Sequence, residues 1–135
     1  MRSGYDEYGD DDYIWLYRNS VDRAIAGKRG QAFLKELLAS LDAMPEKRLI
    51  AEELQTPEGE VCSLGAVGRA RGIDLSNVSP EAWKYLGKTF NIAESMVREI
   101  EFINDDEYAY YSHSETPEER WVRMRKWVAE QLKAQ

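Results

Sequence analysis

One imidazole, one thiol and twenty-five carboxylates are the reactive inventory of this 135-residue chain. His113 has no serine or cysteine near it in a nucleophile motif such as G-x-S-x-G, so its surroundings in sequence build no triad. Asp105, Asp106, Glu107 and His113 carry oxygen and nitrogen ligands suited to a divalent cation. They lack the alternating D-x-D-x-D-G register that wraps a loop around calcium. Cys62 stands alone in an apolar-flanked run, which forbids an intramolecular disulfide and a cysteine zinc cluster and makes a small buried hydrophobe its expected role. Gly27-Lys28-Arg29-Gly30 is missing the earlier glycine and the following Ser or Thr of a phosphate loop. The reading is no catalytic residue, no metal and no cofactor, in a protein that is not an enzyme.

The residue types do offer binding chemistry. The chain carries a net charge of −7, and the excess is concentrated at two places. Residues 1–13 hold Asp6, Glu7, Asp10, Asp11 and Asp12 against Arg2 alone, while residues 102–119 hold six acids with no Lys or Arg. Rings are interleaved with both. Tyrosine and tryptophan anchor protein interfaces because they bury much area for few rotors, and uncompensated carboxylates steer a cationic partner toward them. The candidate partner-binding residues are therefore Tyr5, Tyr8, Asp10, Asp11 and Asp12 at the front, and Asp105, Asp106, Glu107, Tyr108, Tyr110 and Tyr111 in the second segment. The expected partner is a basic protein, with a homodimer also admitted. Nucleic acid is disfavoured by the charge.

The elements that must position these residues are helical. Ile14, Tyr17, Val21, Ala24 and Ile25 fall at helical spacing and predict a helix over 12–26, with Gly27 to stop it. Phe33, Leu34, Leu37, Leu38 and Leu41 predict a second helix after Gly30, barred beyond Met44 by Pro45. Thr56-Pro57-Glu58-Gly59 is turn chemistry, and its flanks Ile50–Gln55 and Glu60–Ser63 pair as a short hairpin in the preferred reading, the alternative being a helix over 47–55. Leu64, Val67 and Ala70 fit a short helix ending at Gly72, in which Gly65 and Gly68 weaken the helix or permit close packing. Ser79-Pro80-Glu81 starts another helix, and a last one follows the capping box Thr116-Pro117-Glu118-Glu119. The fold class is mainly α, a compact single-domain bundle of five to six helices with one short β-hairpin near 50–63. Residues 1–11 form a flexible acidic arm and 12–133 the domain, with a loop at 103–115. No apolar run reaches the ~18 residues of a membrane span, and the acidic N-terminus is unlike a secretory signal. The expected location is the cytoplasm.

Leu86-Gly87, Phe90-Asn91-Ile92, Val97 and Ile100 lie at the spacings of a helix pair with a small residue at the crossing and a turn residue tolerant of positive φ. This stretch resembles the helix-turn-helix superfamily over about 20 residues. The resemblance implies DNA binding by Lys88, Ser95 and Arg98, although Glu94, Glu99 and Glu101 on the second helix are poorly suited to it.

A second resemblance is broader. It is carried by Gly30-Gln31-Ala32-Phe33-Leu34-Lys35-Glu36-Leu37-Leu38, by Asp42-Ala43-Met44-Pro45-Glu46-Lys47-Arg48-Leu49, and by Gly59-Glu60-Val61-Cys62-Ser63-Leu64-Gly65-Ala66-Val67-Gly68-Arg69. It continues into Asn104-Asp105-Asp106-Glu107 and Thr116-Pro117-Glu118. In these the chain is similar to small accessory proteins of tailed bacteriophages and prophages whose activity is uncharacterised. The resemblance implies a bacterial host and a role such as inhibiting a host defence or nucleic-acid-processing system, and it supplies no site. The function expected is therefore protein–protein interaction through the acidic-aromatic surface, with a helix-turn-helix transcriptional regulator as the alternative.

Overall fold

A single residue, Gly27, joins the first two helices, α1 (Asp11–Ala26) and α2 (Lys28–Ala43). The computed structural model of this chain describes residues 11–105 and 115–133, with side chains from residue 13 onward. Gly27 closes α1 by donating its N–H to the Arg23 carbonyl at 2.9 Å, and its own carbonyl accepts from Gln31 N–H at 2.9 Å to open α2. Gly30 is not the start of the second helix but a residue of its first turn. A Cβ there would lie 2.0 Å from the Ala24 carbonyl oxygen, so the glycine is what lets the two helices meet backbone to backbone.

Among the described residues there are six helices and no strand: α3 (Ser63–Ala70), α4 (Trp83–Phe90), α5 (Glu94–Asp105) and α6 (Pro117–Gln131) complete the order. The apolar stripe of α2 is buried at Phe33, Leu34, Leu37 and Leu41, and it packs against α1, α3 and α6. Helix α5 occupies the centre, touching α1, α3, α4 and α6. Fully burying Val21, Leu34, Leu64, Leu86, Met96, Ile100 and Met124 stabilises one continuous core by roughly 1.5–3 kcal/mol per large side chain before the entropy of ordering is subtracted.

The hairpin expectation is met only in part. The chain reverses at Thr56–Gly59, with Gly59 at φ 92, and Gln55 pairs with Val61 in one antiparallel bridge. A longer ribbon is prevented at Glu52, whose φ of 71 interrupts the extended run. The Ser79-Pro80-Glu81 start is displaced as well. Ser79 Oγ accepts from Glu81 N–H at 3.1 Å in a local turn, and the regular helix begins only at Trp83. The last helix begins as the sequence predicts. Thr116 Oγ1 accepts from Glu119 N–H at 3.1 Å while Glu119 Oε1 accepts from Thr116 N–H at 2.9 Å, with Pro117 at the first helical position. No described helix is long and apolar enough to cross a membrane.

Candidate functional site

The outer arc of α1 is where large side chains meet solvent. Val21 and Ile25 turn inward and are buried, while Tyr13 is 56% exposed, Trp15 66% and Leu16 56%. Across α1 the inner edge is polar. Arg18 Nη1 donates to the buried Glu99 carboxylate of α5 at 2.9 Å, and Arg18 also holds Asp22 at 2.6 Å. The Arg18–Glu99 bond to α5, with the burial of Val21 and Ile25, sets which side of α1 faces inward and leaves Trp15 on the outer side.

Several sequence-predicted partner residues lie outside the described ones: Tyr5, Tyr8, Asp10, Asp106, Glu107, Tyr108, Tyr110 and Tyr111. Asp12 is in the first turn of α1 as expected, and Asp11 joins it there instead of ending the arm; their side chains are likewise outside the described set. Asp105 departs from expectation. It is in the last turn of α5, not in a loop, and it is half-buried with the Asn104 amide donating to it at 2.7 Å. Where a loop was expected from 103, the chain stays helical through Asp105, because Ile103 is buried in the core and Asn104 is bonded to two other segments; residues 106–114 of the expected loop lie outside the described ones.

The second acidic segment is also less uncompensated than its sequence suggests. Glu115 meets Arg123 at 2.6 Å and Arg120 at 3.3 Å. The same two arginines donate to the carbonyls of Ile103 and Asn104, at the helix end where a cation is favoured by the dipole. Glu119 is engaged in its capping box. Glu118 lies 4.0 Å from Arg48.

The α4–α5 pair has the expected joint. Asn91 is left-handed at φ 57 and ψ 49, Ile92 N–H donates to the Gly87 carbonyl at 3.0 Å, and a Cβ on Gly87 would lie 2.9 Å from the Ile92 carbonyl oxygen. The DNA-facing residues do not follow. Arg98 is enclosed, its guanidinium 4.0 Å from the Trp83 ring centroid and 5.7 Å from that of Tyr17. Ser95 faces Ser20 of α1 at 3.5 Å. Lys88 alone of the three is exposed. A recognition helix needs one free face, and α1 covers the one that carries Ser95 and Arg98.

A second locus was missed by the sequence reading. Between α3, α5 and the 50–54 segment lies a cavity of about 10 Å³ whose lining includes Glu52, Glu53, Cys62, Glu101, Asn104 and Asp105. Glu101 is only 2% exposed and receives the Trp83 indole N–H at 3.0 Å. Burial pushes its carboxyl up to about 8, opposed by the Trp83 donor and reinforced by Asp105. Cys62 caps α3, its sulfur accepting from Gly65 N–H at 3.5 Å, and burial pushes its thiol up to about 12. The signal was present in the spacing. Val97, Ile100, Glu101 and Asn104 form an i, i+3, i+4, i+7 stripe, so two polar side chains sit in an apolar register.

No protein-family model, curated protein or solved structure matches this chain.

Proposed function

We propose that this protein is a phage-type accessory protein that acts without catalysis, by binding another, basic protein through the outer arc of α1 and the acidic segment that precedes it. What supports the reading is Trp15. It is a large ring two-thirds exposed on a helix whose other side is fixed to the core, and Tyr13 and Leu16 are exposed in the same turn at other angles round the helix. Scattered apolar residues on a surface are ordinary, but three within one turn next to a run of acids have the composition of an interface anchor with a charged rim. Inhibition of a host defence or nucleic-acid-processing protein is the concrete form of this function. The enclosure of Arg98 weighs against the alternative of a DNA-reading regulator.

The experiment compares capture by the wild-type chain with capture by a Trp15→Ala, Leu16→Ala variant from a bacterial lysate. A partner retained at low salt, released by high salt and lost in the variant is the expected result. Equal capture by both proteins would overturn the reading.

A further inference from the structure

We propose that the end of the molecule opposite its N-terminal acidic segment is a receptor for that segment on a second copy of this chain, so that copies join head to tail. This contact shares the acidic segment with the reading above and does not rest on it.

The two ends are set by helix direction. Between α1 and α5, Ser20 meets Ser95 at 3.5 Å and Arg18 meets Glu99 at 2.9 Å, so the two helices run antiparallel. The start of α1 therefore lies beside the end of α5, and the end of α1 beside the turn between α4 and α5. Asp11 and Asp12 occupy the first turn of α1, with Asp6, Glu7 and Asp10 before them in the sequence.

Cations gather at the other end. Arg23 is in the last turn of α1, and Lys28 and Arg29 open α2. Arg29 Nη1 donates to Asn91 Oδ1 at 3.2 Å, which brings in Lys88 from the last turn of α4. Gln31 donates to the Ile25 carbonyl at 2.8 Å and accepts from Lys133 N–H at 2.9 Å, which brings in Lys133 from beyond α6. All five residues are exposed, and none forms an ion pair with another described residue. Against these five stand the exposed Glu94 and Glu130, while Asp22 is already tied to Arg18. The helix dipoles do not cancel the excess. Here α1, α4 and α6 finish while α2 and α5 begin, and their half-charges sum to roughly −0.5.

Charge and reach select the occupant. A chain of net charge −7 repels polyphosphate at long range, whereas an excess of cations at one end is complementary to the acidic segment of another copy. The same copy does not supply it. Asp6 is five residues from Asp11 and spans at most about 17 Å from it, while the 16 residues of α1 put about 24 Å between the two ends. A contact between unlike ends leaves one of each free, so it propagates into chains or rings instead of stopping at two copies.

Sedimentation velocity on the full-length protein tests this. Oligomers that grow with protein concentration are expected at about 0.01 M salt and monomers at about 1 M, because the Debye length falls from about 30 Å to about 3 Å. Neutralising the basic end (Lys28→Gln, Arg29→Gln, Lys88→Gln) or the acidic segment (Asp6→Asn, Glu7→Gln, Asp10→Asn) weakens self-association by about tenfold or more. Mixed in equal amounts, the two variants pair through the one intact end of each and stop at a dimer. A mixture that behaves as its two parents do, a wild-type monomer at both salt concentrations, or oligomers indifferent to salt overturns the proposal. So does retention of duplex DNA by the wild type without self-association. The Trp15→Ala, Leu16→Ala variant self-associates as the wild type does, so failure of the head-to-tail contact and failure of the α1 docking surface are read separately.

Discussion

Asn104 and Ser63, 41 residues apart in the chain, are joined twice: Asn104 Oδ1 accepts from Ser63 Oγ at 2.7 Å and from Ser63 N–H at 3.1 Å. The other end of the same amide donates to the Ile50 carbonyl at 3.0 Å. One buried side chain thus satisfies the start of α3 and the irregular 50–54 segment together. Asn104→Leu keeps the branched shape and removes every bond, leaving the buried Ser63 N–H and hydroxyl and the part-buried Ile50 C=O without this partner. At about 1–3 kcal/mol for each orphan, a loss of roughly 2–4 kcal/mol is expected in urea unfolding with an unchanged denaturant slope. A loss below about 1 kcal/mol would show that the segments hold without it.

Gly30 and Gly59 separate close packing from backbone freedom. Gly30→Ala drives a methyl group against the Ala24 carbonyl, and the helices must part, at a cost of roughly 1–3 kcal/mol or more. Gly59→Ala meets no atom within 4 Å but sits at φ 92, so only the strained backbone conformation is felt, at about 1 kcal/mol. Thermal unfolding of the two variants is expected to rank Gly30→Ala as the less stable. The reverse order would mean that α1 and α2 slide apart freely.

Glu101 makes stability fall as pH rises. Its folded pKa, about 8, is above the ordinary 4.5, so between those values the native state holds a proton that the unfolded chain has released. The stabilisation is fully present below about pH 4.5 and is lost progressively up to about pH 8, with a slope reaching about 1.4 kcal/mol per pH unit. Glu101→Gln retains an acceptor for Trp83 and cannot ionise, so its stability is expected to be flatter across that window. Parallel pH profiles for the two proteins in chemical denaturation would contradict the assignment.

The helices were legible in the sequence wherever burial follows a period of 3.6, as in the Phe33-to-Leu41 stripe, or wherever a cap has a fixed chemistry, as at Thr116. The α4–α5 joint was legible too, because Gly87 and Asn91 answer steric demands that are local. Arg98 was misread because its neighbours in space, Tyr17 and Trp83, are distant in sequence, and a cation on a helix looks exposed until two rings enclose it. Asp105 was read as loop for a related reason: the residues that hold the end of α5, Ser63, Ile50, Arg120 and Arg123, come from other elements. Glu101 was assigned to a helix face unsuited to DNA and never to the core, though it occupies a core register. Periodicity reports which side of a helix is inward. It does not say that a carboxyl on that side will find a tryptophan.

The thiol that caps α3 has a use beyond stabilising the first turn. It is the one cysteine of the chain, shielded by the core and held far from its reactive anion at neutral pH, so an alkylating reagent reaches it only after α3 has lifted away. Modification therefore accumulates with time spent ajar. The molecule carries its own clock for that excursion, read as a single mass increment with no label introduced.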